Sequence, residues 1–241
     1  MELFVKATPW DNHIFQLNTG RLLVEQQLNL YDIKTIQDQS KMYDFIVIKN
    51  DNSFMTNHYY LSLLGHAYIT DLQLQFTFTQ KTKPSFDNSP NIMIQNGLSF
   101  QQDIMDLSRE VYRYSRFYND PYIPKEQADI VYQTWCKDSF HDSQKYYIYY
   151  QKETHILAYL LFYIHEDTII TDLQATHKEL QGQGIGQILL TKLLAFGYQN
   201  NITKFQMGTQ ASNKPMISLY EKFGYQLKET STVYHYWPEK I

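Results

Sequence analysis

The 241-residue chain has a single cysteine, Cys136, which rules out an internal disulfide and fits a reducing compartment. It has no apolar run approaching the ~20 residues that span a bilayer. The first ten residues lack the basic-then-apolar layout of a signal peptide, so a cytoplasmic location is the expectation. A basic excess is missing too: 21 Lys and Arg face 25 Asp and Glu, the formal net charge is −4 and the pI is near 6.0. That balance argues against a general nucleic-acid binder, which carries a basic footprint. Arginine is scarce, at four copies.

What is present is 43% hydrophobic content, enough for one large domain or two small ones. Tyrosine occurs 21 times, so position rather than identity must single one out. Residues 81–91, KTKPSFDNSPN, have loop composition and set a boundary between an N-terminal domain, residues 1–85, and a larger one, residues 90–241. In the first domain, residues 45–49 (FIVIK) predict a buried strand, and residues 71–79 (DLQLQFTFT) alternate like a half-buried one. The unit reads as small and mixed α/β.

In the second domain, residues 92–95 predict a short strand. Ile104, Leu107, Val111 and Tyr114 share one face of a helix over 101–114, and a second helix follows Pro124 over 125–138. Strands are predicted over 146–150, 156–164 and 168–175, then a helix over 184–198 and a strand over 204–209. A helix over 215–223, stopped by Gly224, and a strand over 231–236 complete the order.

Residues 172–190, DLQATHKELQGQGIGQILL, run from a strand through a polar loop into a long helix, with glycines at 182, 184 and 186. Glycine lets the backbone turn tightly and approach a ligand. The first N–H groups of the helix have no internal partner, and the helix dipole adds about half a positive charge there. Together these make a pyrophosphate site that needs no Lys or Arg. It is not a P-loop, because no Lys–Ser/Thr follows the last glycine, and the spacing G-x-G-x-G is not the dinucleotide fingerprint.

Gln181-x-x-Gly184-x-Gly186 resembles the Q/R-x-x-G-x-G/A motif of GNAT-family acyltransferases, and the element order over 92–236 is similar to that family's. The resemblance implies an α+β fold with a central, mostly antiparallel sheet and flanking helices. It implies acetyl-CoA as acyl donor and no metal. Ala175 and Thr176 would lie beside the pantetheine arm. The loop Gln181, Gly182, Gln183, Gly184, Ile185, Gly186 and Gln187 would clasp the pyrophosphate, with backbone amides across 182–187. The N-terminal domain would be a degenerate GNAT-like lobe supporting the acceptor site or a homodimer contact.

Residues 204–225 resemble the family's second motif. Asn213, just before Pro215, reads as a helix cap, and the resemblance adds a hydrogen bond to the CoA arm. Tyr220 lies two turns further on the same face. It reads either as a core aromatic or, as in many GNAT enzymes, as the general acid that protonates the departing thiolate. Asp172, His165 and Glu166 are the titratable residues nearest the cofactor strand, and none stands out as the proton acceptor.

Arg109, Arg113 and Arg116 share one helical stripe, where Asp106 and Glu110 can pair with the first two. Arg116 opens SRFYNDP, which with Tyr132 and Trp135 resembles a stretch in the dTDP-fucosamine acetyltransferases and related nucleotide-sugar N-acyltransferases. Trp10–Asp11–Asn12 with Phe15 and Arg21 is similar to their start. This implies acceptor contacts at Arg116 and Asp120, although Asp120–Pro121 also reads as a plain turn. The expected reaction is acyl transfer to the amine of a nucleotide-linked amino sugar. A peptide α-amine or other small amine, and a non-catalytic CoA-sensing domain, are the alternatives.

Overall fold

In the computed structural model, which describes residues 3–84, 89–112 and 114–239, a parallel strand pair joined by a crossover helix occurs twice. The first instance is β2 (Thr19–Val24), α2 (Leu30–Ser40) and β3 (Phe45–Asp51), followed by α3 (Asn57–Ser62) and β4 (Ala67–Thr79). Ahead of it lie β1 (Lys6–Ala7) and α1 (Pro9–Phe15). The second is β8 (Thr168–Thr176), α6 (Ile185–Gln199) and β9 (Lys204–Gln210), followed by α7 (Lys214–Lys222) and β10 (Gln226–Tyr236). Between the two lie β5 (Ile92–Asn96), α4 (Gln102–Val111), α5 (Lys125–Ser139), β6 (Lys145–Lys152) and β7 (His155–His165).

Among the described residues all ten strands form one sheet, in the order β1-β2-β3-β10-β4-β9-β8-β7-β6-β5. Apart from the two crossover pairs, its pairings are antiparallel, as expected. The halves exchange strands at the centre. β4 pairs with β9 of the second half, and β10 pairs with β3 of the first. The sheet therefore runs unbroken past the loop at 81–91, of which residues 85–88 lie outside the described residues.

Three cores follow from the alternation of strand side chains. α1, α4 and α5 cover one face, over Phe45, Val47, Val233 and Tyr159. On the other face, α2 and α3 pack over Leu22, Val24, Ile46 and Ile48, while α6 packs over Ile169 and Phe205. Leu189 and Leu193 on α6 are fully buried and stabilise the fold by roughly 1.5–3 kcal/mol each. No helix among the described residues is long and apolar enough to cross a membrane.

Three boundaries differ most from the sequence pattern, the first being β4, which begins at Ala67 rather than 71. β10 starts at Gln226 rather than 231, because the polar run QLKET pairs along β4 from Thr77 to Leu74. α4 stops at Val111, so Tyr114 leaves the helical face and lies exposed. Arg109 pairs with Asp129 of α5 at 3.6 Å rather than with Asp106 or Glu110, and Arg113 lies outside the described residues.

Candidate active site

β8 and β9 pair over only three positions, Thr168↔Lys204 to Ile170↔Gln206, and then part. A cleft of about 1250 Å³ opens where they diverge and is lined from both faces of the sheet. Thr171 to Thr176 of β8 form one wall, and Gly208, Thr209 and Gln210 of β9 the other. Ala175 and Thr176 both line it.

The glycine loop sits at one mouth. Gly182 and Gly184 have φ of +77° and +83°, a region where a Cβ is strained, and Gly184 caps α6. At Gly186 a Cβ would come within 3.3 Å of Gln174 and Leu219, so the bare backbone lets α6 nest against α7. Gln181, Gly182, Gly184, Ile185, Gly186 and Gln187 line the cleft. Gln183 does not: it is exposed and its amide donates to the Glu179 carbonyl. The Gln181 amide donates to the Thr176 carbonyl at 3.0 Å and ties the loop to β8. Lys178 and Lys222 also line this mouth, and the Lys222 ammonium donates to Gln187 at 2.8 Å. The sequence pattern did not single out either lysine.

Asn213 caps α7, its side-chain oxygen accepting from the Met216 N–H at 3.4 Å, and it also lines the cleft. Tyr220 lies one side of the cleft, 3% exposed, packed against Phe76 and Tyr225. Burial pushes its phenol well above the ordinary value, so it stays protonated at any working pH. A protonated phenol at a cleft wall can donate a hydrogen bond or a proton, and cannot serve as a base.

A β-bulge sets Asp172. Leu161 pairs with Leu173 and Phe162 with Thr171, leaving Asp172 as the extra residue in β8. Its carboxylate accepts from Lys145, which also stands over the Tyr163 ring at 4.3 Å. Burial raises the Asp172 carboxyl, against the pull of Lys145 and Trp135. His165 and Glu166 fall at the far turn between β7 and β8, outside the cleft lining.

On the opposite face Arg116 lines the cleft with Tyr112, Tyr114, Tyr132 and Trp135. Its guanidinium lies 4.2 Å from the Phe117 ring centroid, and its buried Nε has no hydrogen-bond partner. Among the described residues no carboxylate lies within 4 Å of it. Burial lowers its proton affinity, as expected of a cation without a close partner.

Asp120 is not in the cleft, contrary to the acceptor contact expected for it. It is 3% exposed and accepts from Tyr68 Oη, His235 Nδ1 at 2.5 Å, Trp237 Nε1 at 3.1 Å and the Tyr122 N–H at 2.8 Å. With these bonds it anchors the Arg116 loop to β4 and β10. Burial opposes its charge, but the donors from His235 and Tyr68 outweigh it and hold the carboxyl below its usual range.

A splayed parallel pair with a glycine-opened helix at its mouth defines an acyltransferase of the GNAT type. Residues 103–225 match the Acetyltransferase (GNAT) family, and the chain belongs to that family. The chain is 27% identical over 164 residues to the spore coat polysaccharide biosynthesis protein SpsD of Bacillus subtilis, covering 68% of this chain. It spans 55% of that relative's length. Among solved structures, an N-acetyltransferase from Sphaerobacter thermophilus superposes with a TM-score of 0.62 at 12% identity, covering 97% of this chain and 76% of that one. A tandem GNAT protein from the clavulanic acid biosynthesis pathway gives 0.55 at 9% identity, over 92% and 76%. At these identities the structures show the fold alone.

Proposed function

We propose that this chain transfers an acetyl group from acetyl-CoA to the amine of a nucleotide-linked amino sugar by direct attack. The observation that carries the acceptor class is Arg116, a half-buried guanidinium in the cleft with no carboxylate within 4 Å among the described residues. Asp11 and Asp71 act on its charge only from beyond that distance, which leaves its donors to an anionic ligand, and arginine suits phosphate. The relative in spore coat polysaccharide biosynthesis points the same way.

The residues fit the donor. The parting of β8 from β9 leaves backbone of both strands unpaired beside Ala175 and Thr176, where a pantetheine arm can bond. The amides of Gly182, Gly184, Ile185 and Gly186 receive the pyrophosphate, those of Gln183 and Gln187 donating instead to the Leu180 and Gly184 carbonyls, with Lys178 and Lys222 adding positive charge nearby. Asn213 caps α7 with its oxygen and keeps its amide for the arm. Acetyl-CoA, when bound, supplies the thioester whose C–S bond is broken. Tyr220 donates its phenolic proton to the departing sulfur, and as the C–N bond forms the acceptor nitrogen gives up a proton to water, which restores the one Tyr220 has given. We infer that the N-terminal half is a degenerate GNAT-like lobe supporting the acceptor.

A second reading has its own observation. Glu25, Glu110 and Glu229 also line the cleft and would suit a cationic peptide α-amine. Thiol release from acetyl-CoA, with and without a dTDP-4-amino-4,6-dideoxyhexose, separates the two. Sugar-dependent release is expected, falling by about 10²–10⁴ in Tyr220→Phe with acetyl-CoA affinity unchanged. Release with peptides but not with the sugar would overturn the acceptor assignment.

A further inference from the structure

The cleft does not end at Tyr220. It continues across the sheet onto Leu23, Glu25, Lys49 and Asp51 at the ends of β2 and β3 in the N-terminal half. The strand register lays these residues in rows on one face. One row runs Leu23, Lys49, Val233, Asp71, and the next runs Asp51, Ser231, Gln73. Arg116 stands over the Asp71 end of the first row, close enough for its charge to act on that carboxyl. The Lys49 backbone lies two strands from that of Asp71, about 10 Å away. Leu23 is 50% exposed, and Lys49 is exposed with no carboxylate within 4 Å among the described residues.

We propose that this bare sheet face is the nucleotide subsite of the acceptor, with Arg116 and Lys49 holding a nucleoside diphosphate between them. The inference rests on the nucleotide-sugar reading above and deepens it, because it makes the N-terminal half part of the binding machinery. Arg116 and Lys49 line the same cleft, and each would add charge-assisted hydrogen bonds to a diphosphate held there. The exposed Leu23 and the Tyr114 ring offer apolar surface to a base. Gln73 and Ser231 on the floor supply neutral donors and acceptors to the pentose. Asp51 accepts from Ser53 through N–H and Oγ at 2.9 and 2.6 Å, and Lys49 acts on its carboxylate only from beyond 4 Å, which leaves the ammonium able to donate to a ligand.

The test is titration calorimetry of the full chain with dTDP alone, and separately with acetyl-CoA, for wild type, Lys49→Gln and Lys49→Arg. The structure predicts that dTDP binds the wild type and that Lys49→Gln weakens it roughly tenfold, the loss of one charge-assisted contact. Lys49→Arg restores binding, acetyl-CoA affinity does not change in either variant, and the KM for the dTDP-linked amino sugar rises in parallel. If Lys49→Gln binds dTDP as the wild type does, while the sugar is still acylated, the subsite is wrong and the enzyme reading stands. If the wild type neither binds dTDP nor acylates the sugar, the acceptor reading falls and the subsite with it.

Discussion

The segments β2–α2–β3–α3–β4 and β8–α6–β9–α7–β10 share their order, their parallel first pair and their place against the central strands, yet it is the second whose parallel pair parts to open the cleft. In the first, pairing runs the whole length of β2, from Thr19↔Phe45 to Val24↔Asn50. Its strand-to-helix loop has no glycine. Asn29 accepts from the Tyr31 and Asp32 N–H groups, and Asp32 returns a bond to the Asn29 N–H at 2.8 Å. The buried Asn57 fastens the same loop, accepting from the Leu28 N–H and donating to the Gln26 carbonyl, both at 2.8 Å. The donors an anion would use are thus satisfied internally. In the second segment β8 and β9 part after three pairs, and two glycines turn the chain into α6 without a capping side chain. The comparison teaches that the crossover supplies the scaffold, while splay and open helix amides supply the site.

The largest effect should come from closing the second junction. Gly184→Val puts a β-branched residue at φ +83° beneath the phosphates and should weaken acetyl-CoA by about 100-fold, read by calorimetry, with the melting temperature followed as a control. Next is the charge between the halves. Arg116→Gln should raise the acceptor KM about tenfold or more and leave acetyl-CoA affinity unchanged, read by steady-state kinetics.

A smaller effect sits on the exchanged strand β4. Burial raises the Asp71 carboxyl to about 6, against the pull of Arg116. An acid whose pKa is raised by folding costs stability above that value and none below its unfolded value of about 3.9. Asp71→Asn should therefore stabilise the fold by roughly 2 kcal/mol above pH 6, and the gain should vanish as pH falls from 6 toward 4. Denaturant unfolding at pH 7.5 and 4.5 checks this. The smallest effect belongs to the first junction: Asn29→Ala should cost about 1 kcal/mol of stability by removing the cap and leave acetyl-CoA binding intact.

The second half was legible in the sequence because its signals are local. The glycine spacing, the Asn213 cap and the periodicity of Leu189 and Leu193 each sit within one element. The first half was mostly illegible because β1 has two residues, α3 has six, and neither carries a countable period. The strand exchange was hidden as well, since nothing in residues 71–79 or 231–236 says that they pair with each other. Asp120 shows the same limit within the site. Its neighbours in sequence suggested an acceptor contact, while its partners His235 and Trp237 arrive from the far end of the chain. Lys178 and Lys222 are ordinary surface lysines until folding sets them beside the loop.

The most direct test of the contrast is hydrogen–deuterium exchange with and without acetyl-CoA, resolved to the two junctions. The account predicts slowed exchange across residues 182–187 and along α7, with no change across residues 25–32. Protection at 25–32, or none at 182–187, would contradict it.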